Sequence, residues 1–153
     1  MWEQIFAGAN LLAMIGWAVL ILAPRRDGVM RALFFGPILI LALGYATGLV
    51  LVLSGVVPTG GGADFTTIAG VRSIFSSDAG VTIGWVHYLT FDLFVGLWIA
   101  RNADAHDLND LKGRLIQAPV LFATFMAGPL GLASYILLRS VLRRDRSAHL
   151  IPA

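Results

Sequence analysis

Four stretches of this chain are apolar for long enough to cross a lipid bilayer, and nearly all charge is kept out of them. A hydrocarbon core about 30 Å thick takes roughly 20 helical residues to cross. The first run goes from Ile5 to Ala23 and stops at Pro24, with Arg25 and Arg26 behind it. The second runs from Ala32 to Val57 and ends at Pro58. The third spans Gly80 to Ala100 and is closed by Arg101; the fourth goes from Ala118 to Leu138, just before Arg139. Of the 9 carboxylates only Asp92 lies inside a run, and the 11 Lys and Arg lie outside them, Arg101 at an edge. Charged residues make up 13% of the chain, where an ordinary soluble domain carries about 25%. Four such helices buried in a soluble protein would lack a polar jacket, so the runs read as membrane spans.

Backbone polar groups in lipid must be satisfied within the segment that carries them, which leaves α-helices for a chain of this pattern. The expected fold is all-α, a four-helix transmembrane bundle in a single domain of residues 1–153, with spans at about 5–23, 32–57, 80–100 and 118–138. Gly44 and Gly48, Gly80 and Gly84, and Gly128, Gly131 and Ser134 recur at helical spacing, which predicts faces where backbones approach closely. The long connection, residues 58–79, opens with a Pro58–Gly62 turn. It then places Phe65, Ile68, Val71, Ile74 and Phe75 as one face of a short helix at the membrane interface, read as an anchor, with a lid over the bundle as the alternative. A basic tail, residues 139–153, follows the last span and suits anionic headgroups. The first run has neither the basic flank nor the cleavage site of a signal peptide. Lys and Arg divide too evenly between the two sides to fix the orientation.

Several chemistries are set aside. The chain has no cysteine, which removes disulfides and thiolate chemistry, and its net charge of +2 is too small and dispersed for nucleic-acid binding. Asp104, His106, Asp107 and Asp110 sit among Asn102, Asn109 and Lys112 and read as a solvated loop rather than a metal site. Gly60–Gly62 lacks the lysine of a phosphate loop. A bis-histidine haem would need two buried histidines, and the spans contain one. No cofactor and no metal are expected.

What remains is the third span. It holds His87 and Asp92, and a carboxylate at a helix centre costs about 2.5–3.5 kcal/mol on insertion scales, so it should be paired, neutral or beside a polar cavity. At about 100° per residue the two are roughly 140° apart around the helix and do not share a face. Asn10, Trp17, Tyr45, Thr47, Thr124, Ser134 and Tyr135 are the polar or aromatic candidates to meet them from other spans.

The stretch Trp85-Val86-His87-Tyr88-Leu89-Thr90-Phe91-Asp92-Leu93-Phe94-Val95-Gly96 resembles the signature of the abscisic-acid-deficient-four-like family of small four-span membrane proteins. Phe125-Met126-Ala127-Gly128-Pro129-Leu130-Gly131, followed by Tyr135 and Arg139, is similar to its second block, and Phe75-Ser76-Ser77 fits as well. Leu97 departs from plant-like members, which carry an arginine there, and no plastid transit peptide is read before the first span, so the resemblance is to a bacterial member. The plant members are associated with neoxanthin formation, an isomerisation that opens an epoxide and forms an allene. The resemblance therefore implies an acid–base carotenoid isomerase without redox cofactor. Asp92 and His87 would be the catalytic pair, and Trp85, Tyr88, Tyr135 and Thr124 the substrate-binding residues.

Two other functions compete: a non-catalytic carotenoid- or lipid-binding membrane module, and a small proton-coupled carrier using Asp92. The expected partners are the lipid bilayer and a carotenoid or other isoprenoid ligand, with homo-oligomer formation left open and no nucleic acid. The expected location is a bacterial inner membrane.

Overall fold

The computed structural model describes residues 1–60, 64–106, 108 and 110–148, with side chains described as far as Ser140. Gly61 and Gly62 of the expected turn, Asp107 and Asn109 of the hydrophilic loop, and residues 149–153 of the tail lie outside the described residues. Among the described residues the chain is helical with no strand. We label the helices α1 (Trp2–Leu22), α2 (Asp27–Leu53), α3 (Ile68–Ile74), α4 (Asp78–Asp104) and α5 (Leu111–Ala148). The four long ones are apolar enough to cross a membrane. Their large side chains point outward as readily as inward: Leu11 is 61% exposed, Phe35 65% and Leu43 59%. In water such a surface would be a liability, whereas hydrocarbon is its natural solvent.

All four expected spans are present, and their ends shift for identifiable reasons. α2 stops at Leu53 rather than at Pro58, because Gly55 takes a left-handed conformation (φ 74°) and donates its N–H back to the Val52 carbonyl. That is a glycine helix stop. α4 begins at Asp78, where the Ser77 hydroxyl accepts the Gly80 N–H at 3.1 Å, and it runs through Arg101 to Asp104. α5 begins earlier than expected because Asp110 caps it, accepting the Gly113 N–H at 2.7 Å. Residues 139–148 of the basic tail continue that helix.

Two spans are interrupted at a Gly-Pro pair. In α2 the segment Phe34–Ile38 widens into a π-turn around Gly36 (φ −91°, ψ −105°) and Pro37, and the Leu39 N–H reaches the Phe34 carbonyl. Proline has no N–H to give to the ladder, and a wider turn lets the neighbouring groups find partners without water. In α5 the break falls at Ala127 (φ −158°, ψ 66°), two residues before Pro129.

The chain divides into two compact units, Met1–Phe94 and Val95–Ala153, the boundary falling inside α4. In the first unit α1, α2 and the first part of α4 meet at Ala13, Leu41 and Val86, with Ala9, Leu12, Tyr45 and Leu89 packed around them. In the second unit α5 folds against itself at its break. Gly131 lies on the Thr124 backbone so closely that a Cβ at 131 would collide with the Thr124 amide nitrogen and hydroxyl. Gly131 thus serves a contact within its own helix. Replacing Gly131 by Ala should lower stability by about 1–3 kcal/mol, the scale of overpacking. Gly8→Ala, where nothing lies within 4 Å of the added carbon, should be neutral or stabilising. Unfolding of both variants in detergent, followed by helical circular dichroism, checks the pair.

Candidate functional site

The third span delivers its chemistry-bearing residues to different surroundings. His87 is half-buried and ringed by aromatic side chains, with centroid separations of 4.7 Å to Phe91, 5.0 Å to Tyr45 and 6.1 Å to Tyr88. Its Nδ1 is buried and has no hydrogen-bond partner. Nearly all buried polar atoms in proteins are paired, so an imidazole nitrogen left this way marks a place where something else is met. His87 also lines a cavity of about 180 Å³, together with Tyr45, Leu49, Phe65, Phe75 and Tyr88.

The connection between the second and third long helices forms part of that cavity. Phe65, Ile74 and Phe75 stand on its wall, and α3 is the short helix that the spacing predicts. The ring of Phe75 comes so near Gly84 that any side chain at 84 would meet it. The segment therefore does more than anchor: it closes one side of the histidine cavity, although Ile68 at 80% exposure still faces outward. Its turn is held by Asp64, which accepts from the Thr66 N–H at 2.8 Å and from the hydroxyls of Thr66 and Thr67 at 2.6 and 2.9 Å. Thr67 in turn caps α3 by accepting the Gly70 N–H at 3.0 Å.

Asp92 is half-buried and is not among the residues lining the His87 cavity, as the helical turn between them requires. Trp85 is tied to α1: its indole N–H donates to Asn10 Oδ1 at 3.0 Å, and its ring stacks on Phe6 at 5.9 Å. Asn10 gives its own amide N–H to the Phe6 carbonyl at 2.8 Å. The asparagine considered as a partner for the third span thus serves the tryptophan. Tyr45, considered for the same role, packs its ring on His87, and Thr47 lines a separate, larger cavity.

Thr124 and Tyr135 belong to the second unit. Thr124 is fully buried, and its hydroxyl donates to the Val120 carbonyl at 2.8 Å. Tyr135 donates to Asn102 Oδ1 at 2.7 Å with the Trp98 ring set edge-on to it at 5.8 Å. Sequence reasoning missed the neighbour of this pair. His106, expected in a solvated loop, is half-buried, with Nδ1 at 2.7 Å from the Asn102 carbonyl and Nε2 at 3.1 Å from Arg139. A carbonyl only accepts, so Nδ1 carries the proton and Nε2 accepts from the guanidinium. The spacing Asn102 to His106, one helical turn, was the available signal. Among the described residues no three potential metal-ligating side chains gather.

Against this geometry the comparisons with known proteins are specific. The sequence model of a family described as ABA DEFICIENT 4-like matches residues 4–135. The chain belongs to that family. The matched region takes in the His87 cavity, Asp92 and the break in α5. Neither the curated proteins nor the solved structures give a match.

The three donors around Asp64 hold its carboxyl below the ordinary aspartate range. A lowered folded-state pKa contributes stability that is present above the unfolded value and lost as pH falls through the folded one. The turn from Asp64 to Gly70 of this ABA DEFICIENT 4-like chain should therefore stay ordered at neutral pH and loosen only in strong acid. Limited proteolysis of the turn should show earlier cleavage in Asp64→Asn at neutral pH, and acid should abolish the difference.

Proposed function

We propose that this membrane protein modifies carotenoids by acid–base isomerisation, with His87 as the group that exchanges a proton with the substrate. The observation that carries the reading is the buried, unpartnered Nδ1 of His87 beside an aromatic cavity. Membership of the ABA DEFICIENT 4-like family supports it. The reaction that the family resemblance suggests is an isomerisation. The carbon–oxygen bond of a ring epoxide breaks and its oxygen takes up a proton. A neighbouring carbon loses a proton, and the electron pair left behind completes the new double bond. No electrons enter or leave, so the protein has only to supply and remove protons at the right atoms.

Tyr45, Phe75 and Tyr88 suit the end of a conjugated molecule, offering ring faces to a polyene, and the two tyrosines add hydroxyls for its oxygens. Asp92 is the second proton-handling group in this reading. It would meet substrate from another side of α4, and its variant decides its part. Trp85 acts by fixing α4 to α1 through Asn10. In the second unit, Tyr135 and Thr124 would contact substrate only by leaving the bonds they now make. The setting we propose is the bacterial inner membrane, where substrate and protein share the lipid phase.

Expression in a host that makes cyclic or epoxidised carotenoids should yield a new pigment of unchanged mass on chromatography. His87→Ala should cut its formation by about 10²–10⁴-fold, the range for losing a general acid–base group. Asp92→Asn should lower conversion while leaving pigment bound. An unaltered pigment profile with the protein present in the membrane defeats the reading, and copurified but unconverted pigment transfers it to a binding module.

A further inference from the structure

A second cavity in the first unit, about 510 Å³, is bounded by α1, α2 and α4. Its walls are mostly aliphatic, with Leu12, Leu41, Leu51 and Val86 among them, and Trp2, Thr47 and Thr82 the lining residues that carry a polar side-chain atom. One residue belongs to both cavities: Ile83 lines this groove and also the 180 Å³ cavity that holds His87. We propose that Ile83 is the partition that decides how far an elongated apolar ligand reaches toward His87.

The position of this side chain is set from across the helix interface. Ile83 is 9% exposed and packs on Gly48 of α2. A Cβ added at Gly48 would stand 2.8 Å from Ile83 Cγ1 and 3.1 Å from its Cδ1, so the room Ile83 occupies is the room the glycine leaves. A β-branched side chain in a helix is stiff at χ1 and cannot swing aside cheaply. The barrier is therefore narrow and rigid, and its bulk is set by two residues.

The two compartments differ in what they can hold. Cavities for small ligands commonly measure about 300–1,000 Å³. The larger groove falls in that range and offers almost nothing polar, which suits the apolar body of a long molecule. The smaller one is below it and has room for an end group only, but it supplies the imidazole of His87 and the hydroxyl-bearing rings of Tyr45 and Tyr88. The pairing matches a polyene with an oxygen-bearing terminus: the chain lies in the groove and the terminus passes Ile83. The occupant's identity rests on the carotenoid reading above. The partition rests on the shared wall.

The test uses the full chain in lipid nanodiscs and a carotenoid-length polyene with a photoreactive end group. Labelled peptides are mapped by mass spectrometry for the native chain, Ile83→Phe and Ile83→Ala. In the native chain the label should fall on segments holding Leu49, Phe75 and Tyr88. Ile83→Phe should reduce that labelling about tenfold, the scale of a steric misfit in an apolar pocket, and move it to the groove around Leu41. Ile83→Ala should raise labelling of the small cavity. Excess unlabelled polyene should compete, and excess phospholipid should not. The same label distribution in all three proteins overturns the partition while leaving the carotenoid reading intact. Native label confined to the groove overturns the partition and the part given to His87 as well, because the reacting terminus then never reaches the imidazole. Absence of polyene-competable label in the native chain, or equal competition by phospholipid, overturns the carotenoid reading and the partition with it.

Discussion

Hydrocarbon offers a polar group no water to bond, and every donor and acceptor carried into it must find a partner inside the protein. That constraint is visible in the smallest details of the long helices. Thr90 donates to the Val86 carbonyl, Thr124 to Val120, Ser134 to Leu130 and Ser140 to Ile136, each reaching back one turn. Hydroxyls that would mark a reactive surface in a soluble enzyme are here consumed by their own helices. The same pressure explains the π-turn beside Pro37, where the ladder widens around a residue that cannot donate.

Two asparagines that bridge helices are each engaged more than once. Asn10 gives its N–H to Phe6 and accepts from Trp85, so one amide both satisfies itself and ties α4 to α1. In the second unit Asn102 accepts from Tyr135 through its side chain and from His106 through its carbonyl. Such contacts fix helix register without relying on packing alone, which matters where lipid is as apolar as the helix surface it would replace. The glycines complete the arrangement at Gly48 and Gly84, where Ile83 and Phe75 fill the space a side chain would take. The His87 cavity and the apolar groove owe their shape to those absences.

Much of the architecture was legible in the sequence because membrane spans obey a length rule that needs no tertiary information. The four runs, the short helix from Ile68 and the isolation of Asp92 and His87 on one span all follow from periodicity and charge placement. Ends were less legible. The left-handed Gly55 stops α2 before the proline that seemed its natural end, and Asp110 starts α5 ahead of the apolar run, since caps depend on single residues rather than on hydropathy. The grouping of side chains around the candidate site was not legible in the sequence. Helical geometry separates His87 from Asp92, and the structure brings to His87 the rings of Tyr45 and Phe75 from elements distant in sequence. Asn10 could equally have met His87, Asp92 or Trp85, and only packing assigns it to Trp85. His106 was hidden by its acidic neighbours, which gave a helix end the composition of a loop.

The two described histidines make the chemical argument sharper than either does alone. His106 has both nitrogens committed, one to the Asn102 carbonyl and the other to Arg139. Its Nε2 lone pair already accepts from the Arg139 guanidinium, so it is poorly placed to act as a base. A general base needs a lone pair within reach of the proton it removes. His87 has aromatic rings packed around it and a buried Nδ1 without a partner. A protein that satisfies even its serines back onto their own helices leaves the buried Nδ1 of His87 unmet, next to a cavity with room for the end of a molecule. Under the rule that governs the rest of the chain, such an omission is costly for structure alone, and it becomes intelligible once a substrate supplies the missing partner.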